Sequence, residues 1–204
     1  MTTGWANQAD DKYNEGTQLF KQANYEAAVV AFTQCIELLP HGAPGYGCYA
    51  SRGAAKNNLG LFDAAIADAS EAIKRYDGDY ALGYYVRGYS YIKKAEYDKA
   101  LADLQKALRS AQSLKEGVLK YIYRELGRVY YAQDLYAQAV DNLKKAIAID
   151  QKLQSANWWL GSAFEKMGKS AEAIIAYENF IKNSKPGDSN IEEANQRIEK
   201  LSKE

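Results

Sequence analysis

Apolar residues along this chain recur at spacings of three and four, in stripes about 14 residues long that come in pairs. In Ala81–Leu114, counting Ala81 as position 1, Tyr84, Gly88 and Tyr91 share one face of a first helix with Arg87. Ala95 and Glu96 mark a turn, and Ala100, Leu101, Leu104, Ala107 and Leu108 form the stripe of a second helix. Small residues at positions 8 and 20 let the two helices cross closely, while larger ones at 4, 11 and 24 fill the space around the crossing. One such hairpin cannot cover its own apolar surface, so the pattern requires stacking on a neighbour.

The unit recurs. Gly16, Gly53, Gly88, Gly127 and Gly161 stand 37, 35, 39 and 34 residues apart, each at position 8 of a similar stripe. A glycine inside a helix costs about 1 kcal/mol relative to alanine, and five of them in equivalent surroundings mark five close backbone approaches. The first copy carries Leu19, Tyr25, Ala28, Phe32, Cys35 and Pro40 at positions 11, 17, 20, 24, 27 and 32. Tyr49, Phe62, Ala65 and Ala72 serve the second, Tyr123, Leu126, Tyr130, Tyr136, Ala139, Leu143 and Ala146 the fourth, and Leu160, Phe164, Ala173 and Tyr177 the fifth.

These slots resemble the tetratricopeptide repeat family, whose pattern is W-x2-L-G-x2-Y, then A-x3-F, then P. The resemblance covers residues 9–187 and implies an all-α, right-handed α-solenoid of helix-turn-helix repeats. The expected organisation is an N-terminal tail over 1–8, five repeats over 9–42, 46–79, 81–114, 120–153 and 154–187, and a capping helix over 188–204. In that last helix Ile191, Ala194, Ile198 and Leu201 share one face behind the N-cap chemistry of Asp188 and Ser189. Several positions depart from the pattern. Ala69 at position 24 leaves the second repeat underfilled, and Phe180 replaces a small residue in the fifth. Asp77 and Gln151 stand where a proline is expected, which suggests helices that run on.

Composition narrows the function. Lysine plus arginine equals aspartate plus glutamate at 26 each, a balance that disfavours nucleic-acid binding by a broad basic surface. Cys35 and Cys48 are expected as two reduced, buried thiols, since a disulfide framework needs more cysteines. His41 is the single histidine and has no metal-ligand or nucleophile neighbours. No catalysis, cofactor or metal is expected. Met1–Asp11 lacks the basic and apolar regions of a signal peptide, which points to the cytoplasm, with a processed exported form left open.

Positions 2, 5, 9 and 12 of each first helix point about 130 degrees from the core stripe, toward the concave side that the family resemblance implies for a partner. Seven of those twenty positions are aromatic, in a chain that is 12% aromatic overall. Exposed aromatic surface of this kind marks an interface. The expected partner-binding residues are Tyr85, Tyr89, Tyr121, Arg124, Arg128, Tyr131, Asn57 and Trp158, mainly from the third and fourth repeats. The tyrosines would clamp a peptide, the two arginines would grip a carboxylate, and Asn57 would bond a peptide backbone. Family co-chaperones hold a terminal carboxylate with lysine, asparagine and arginine at fixed slots. Here the first three repeats offer Tyr13, Thr17, Ser51, Leu82 and Val86 instead. The expected function is therefore a non-catalytic module that binds a protein or peptide, as adaptor or assembly factor. The alternatives are a self-associating scaffold, a homo-oligomer, or an RNA-binding helical-repeat protein.

Overall fold

The computed structural model describes residues 3–39, 41, 45–76, 80–111 and 116–203. Its elements are all α-helices among the described residues: α1 (Thr3–Lys21), α2 (Tyr25–Leu38), α3 (Gly45–Asn58), α4 (Phe62–Arg75), α5 (Ala81–Lys93), α6 (Tyr97–Ser110), α7 (Glu116–Ala132), α8 (Tyr136–Ile149), α9 (Gln154–Lys166), α10 (Ser170–Asn183) and α11 (Asn190–Leu201). They pair as five antiparallel hairpins with one final helix, the all-α solenoid architecture that the spacing predicts. The chain forms two compact units, residues 1–112 and 113–204, with the boundary after the third hairpin.

Each hairpin is built on its glycine. A β-carbon placed on Gly16 would lie 2.7 Å from the Phe32 ring, on Gly127 2.5 Å from Leu143 Cγ, and on Gly161 2.7 Å from the Tyr177 ring. At Gly88 the nearest atom is Leu104 Cγ at 3.1 Å. In these four repeats the large residue at position 24 sits directly over the glycine at position 8. The second repeat, with Ala69 at position 24, solves the problem differently. Val86 of the next hairpin reaches within 3.2 Å of where a Gly53 β-carbon would stand. The underfilled slot is thus filled from outside, and Val86 is buried in doing so.

The turns are equally regular. Ala23, Gly60, Ala95, Asp134 and Gly168 occupy position 15 of successive repeats, and all five have φ between 58° and 76°. Three of the five are not glycine, so the hairpin geometry imposes the left-handed conformation against a cost of about 1–2 kcal/mol at each.

A polar device recurs in the first unit. Arg52 forks onto Asp68 at 2.9 and 2.7 Å, and its remaining nitrogen donates to Thr33 Oγ1 at 3.0 Å. Arg87 does the same with Asp103, at 2.7 and 2.9 Å, and with Ser70 Oγ at 3.0 Å. Position 7 thereby ties its own second helix to the previous hairpin. Both aspartates are buried, so each bidentate pair fixes orientation as well as charge.

Several sequence expectations need correction. The residues assigned to a tail are helical from Thr3 onward, with Trp5 on the surface of α1. Gln151 does not extend α8. Asp150 ends that helix, and its carboxylate accepts from the Lys152 backbone N–H at 2.9 Å to close a turn. The replacement at Asp77, like Pro40 and the repeat limits at 42, 79 and 114, lies outside the described residues. Phe180 is accommodated edge-on against Trp158, with ring centroids 5.1 Å apart. Ala194 and Leu201 are buried and Ile198 packs on the core of α9 and α10, so the last helix caps the second unit as expected.

The cysteines are buried as expected, but they are not free thiols. Cys35 of α2 and Cys48 of α3 form a disulfide, with Cα atoms 6.3 Å apart. The two positions face each other where the first hairpin stacks on the second, inside the usual bonding range. The bridge closes a short loop, which by chain entropy is worth about 3 kcal/mol. Reduction should therefore lower the thermal midpoint of the oxidised protein, and a Cys35→Ser, Cys48→Ser variant should melt at the lower value with or without reductant. An oxidised protein whose melting ignores reductant would refute this contribution.

Candidate functional site

In the first unit α1, α3 and α5, with Phe32 of α2 behind them, line an open hollow of ≈ 340 Å³. Tyr13, Phe20, Phe32 and Leu82 form its walls, with Ala54 and Thr17 between them. The Thr17 hydroxyl donates back to the Tyr13 carbonyl at 2.8 Å, so it is already satisfied within α1. Lys21 and Ser51 supply the polar rim. The rings are held from behind: Tyr13 lies 6.0 Å from Phe32, and Phe20 meets Tyr25 edge-on at 5.3 Å. The disulfide stands one helical turn from this wall on both sides, Cys35 after Phe32 and Cys48 before Ser51.

Of the residues expected to bind a partner, Tyr85 and Tyr89 lie half-buried on α5. Leu82, which lines the hollow, is one turn before Tyr85, and the Lys93 ammonium sits 5.6 Å from the Tyr89 ring. Asn57 is not available to a ligand. It is buried, its amide donates to the Val86 carbonyl at 3.1 Å, and its oxygen accepts from Ser90 at 2.8 Å. It holds α3 to α5.

In the second unit the arginines do grip a carboxylate, but it belongs to their own helix. Glu125 has no solvent exposure. Arg124 donates to its Oε1, and Arg128 to its Oε2 at 2.7 Å. Arg124 also reaches Ser155 of α9 at 3.3 Å, and Arg128 lies 5.3 Å over the Trp159 ring. The corresponding slots elsewhere hold Asn14, Ser51, Val86 and Trp159, of which Val86 and Trp159 pack on the hairpin before them. A glutamate in that column needs cations beside it, which is the signal that sequence reasoning passed over. Tyr121 carries Lys120 and Arg124 each 5.1 Å from its ring centre. Tyr131 packs between Tyr136 and Trp159, at 5.6 and 5.4 Å.

Trp158 sits in a second cavity, of ≈ 360 Å³, with Phe180 as the other aromatic wall. Gln154, Ser155, Asp188 and Asn190 supply its polar lining. Beside it Arg197 of α11 lies 5.3 Å from the Trp158 ring and pairs with Glu165 at 2.8 Å and Glu193 at 2.8 Å. Burial pushes the Tyr177 hydroxyl up to about 12, so it stays protonated and donates to Glu165 at 2.9 Å. The capping helix is thus latched through Arg197 to Glu165 of α9 and Tyr177 of α10, so the Glu165 carboxylate is already paired.

Comparison with known proteins identifies the repeat. Family profiles described as tetratricopeptide repeats match residues 81–113 and 155–184, and one described as TPR repeat matches 122–168. The human DnaJ homolog subfamily C member 7 is 28% identical over 149 residues, which cover 66% of this chain and 29% of that protein. Hsp70-Hsp90 organizing protein 1 of Glycine max is 30% identical over 117 residues, 56% of this chain and 20% of that protein. This chain spans less than a third of the length of these curated relatives. The crystal structure of TTC0263, a thermophilic TPR protein in Thermus thermophilus, aligns with a TM-score of 0.73 over 96% of this chain and 100% of that one at 20% identity, a likeness of fold.

The Arg–Glu–Arg cluster gives a direct check. Glu125→Ala leaves two guanidiniums facing a buried gap and should cost about 3–5 kcal/mol. Arg128→Ala should be destabilising too, so it is no neutral probe of binding. Urea unfolding of both variants measures this, and a Glu125→Ala protein as stable as wild type would rule the buried pairing out.

Proposed function

We propose that this chain, which belongs to the tetratricopeptide repeat family, is a protein-interaction module that holds a peptide segment of its partner against the inner faces of α1, α3 and α5, as an adaptor or assembly factor. One observation supports this reading: an apolar hollow walled by the inner-face residues Tyr13, Phe20 and Leu82, with Phe32 of α2 behind them and Ser51 and Lys21 at the rim. An apolar side chain of the peptide would enter it. Burying one leucine or phenylalanine is worth about 1.5–3 kcal/mol, too little for specific binding by itself. Tyr85 and Tyr89, along the same helix as Leu82, would supply the remaining aromatic contacts.

One of the relatives is named as an Hsp70-Hsp90 organizing protein. The ligand chemistry of such co-chaperones does not carry over easily. In the slots where they place cations for a terminal carboxylate, this chain has Leu82, which lines the apolar hollow, and Val86, which is buried. An apolar anchor in the peptide, rather than its terminal charge, is the recognition this surface favours. The Cys35–Cys48 bridge supports an oxidising compartment over the cytoplasm, since disulfides rarely persist among cytosolic thiol reductants. Among the described residues no helix is long and apolar enough to cross a membrane.

The test is selection of a displayed library of random dodecapeptides on the protein. Wild type should enrich sequences with one fixed apolar residue. Ala54→Phe, which fills the hollow, should lose that enrichment while keeping its helicity and melting temperature, and Tyr89→Ala should weaken the selected peptides at least about fivefold. Equal binding by Ala54→Phe would sink the assignment.

A further inference from the structure

We propose that the cavity at the junction of α9, α10 and the start of α11 is a second site, which receives a lysine side chain of a bound protein. It belongs to the second unit and does not depend on the peptide reading above.

The lining decides the chemistry. Asp188 accepts three hydrogen bonds, all from neutral donors: the Asn190 backbone N–H at 3.0 Å, the Asn190 side-chain amide at 3.0 Å, and the Gln154 amide. These donors hold its carboxyl below the ordinary carboxylate range, the Asn190 N–H foremost, so it is ionised at neutral pH. No cation pairs with it among the described residues. The same bonds turn the amide nitrogens of Gln154 and Asn190 toward Asp188, and Gln154 also donates to Ser184 at 2.8 Å. What remains for a guest is the acceptor side of each group. Gln154 Oε1 and Asn190 Oδ1 have no hydrogen-bond partner among the described residues.

The rest of the cavity is aromatic, with Trp158 on one wall and Phe180 on another. An ammonium on a four-carbon stem matches such a space: the stem lies along the rings, and the head meets the Asp188 carboxylate, with the free amide oxygens as further acceptors at the rim. An anion is disfavoured, because the amide donors facing the cavity are already used by Asp188 and Ser184. Two cations stand at its border. Arg124 donates to Ser155 but is paired with Glu125, and Arg197 is paired with Glu165 and Glu193. The α11 N-terminus offsets about half a charge of Asp188, and the balance stays negative.

The experiment titrates the full chain with Nα-acetyl-lysine N-methylamide and, separately, with its neutral counterpart Nα-acetyl-norleucine N-methylamide, and follows the indole N–H resonance of Trp158. The lysine compound should shift that resonance with an affinity that falls as salt rises, and the norleucine compound should not shift it. Asp188→Asn should weaken lysine binding at least about fivefold, in the range of one charge-assisted contact. Asn190→Asp adds a carboxylate at the same rim and should strengthen it about threefold, which keeps the test decisive if Asp188→Asn loosens α11. Equal response to norleucine, or an affinity that neither substitution moves, would overturn the site.

Discussion

The close approach of two helices at a glycine is the contact on which everything else in this molecule rests. Where Phe32, Leu104, Leu143 or Tyr177 lies over a glycine, the two helices of a hairpin come near enough to bury a continuous apolar stripe. Within each unit, hairpins of the same geometry then stack, and the inner face of one first helix falls beside that of the next. The left-handed residue at position 15 follows from the same constraint, since Ala23, Ala95 and Asp134 accept a backbone conformation that they would otherwise avoid. Van der Waals packing sets the distance. The Arg52–Asp68 and Arg87–Asp103 forks then fix the angle between the two helices of their hairpins, because a bidentate pair tolerates little rotation, and the third guanidinium nitrogen ties each to the hairpin before it.

Periodicity made the core legible. The spacing of glycines, alanines and large apolar residues specifies which face of a helix turns inward, although α7 begins at Glu116, ahead of the repeat start expected at 120. It does not specify what covers a polar residue on the other face. Asn57 and Arg128 both stand on the inner stripe, and from the sequence each reads as open to a ligand. One is used to bond α5 and the other to neutralise a buried glutamate. The Arg–Asp–hydroxyl triads were in principle visible, since Arg52, Asp68 and Thr33 recur as Arg87, Asp103 and Ser70 at nearly equal offsets. Reading the repeat only for apolar columns hid them. The cysteine pairing was not visible at all, because two buried thiols and one buried bridge have the same hydrophobic signature; only the approach of α2 to α3 separates them.

The two units present different chemistry within a shared architecture. The hollow of the first is apolar and is braced by a covalent bond behind its wall. The cavity of the second is rich in acceptors and is completed by the capping helix, which contributes Asn190 at its rim and Arg197 as its latch. Repetition supplies the scaffold, and the departures from repetition give each surface its character. Leu82 and Val86 in place of cations remove a carboxylate site, and Asp188 after the last repeat introduces a carboxylate of its own.

The central claim is that hairpin geometry is fixed by contact between position 8 and position 24. A double-mutant cycle at Gly127 and Leu143 tests it most directly, because a β-carbon on Gly127 would meet Leu143 Cγ at 2.5 Å. Gly127→Ala and Leu143→Ala are each expected to destabilise. Together they should cost at least about 1 kcal/mol less than the sum of the two, since removing the leucine makes room for the new methyl group. Additivity within about 0.5 kcal/mol would mean that the two positions do not share a crossing, and the account would fail with it.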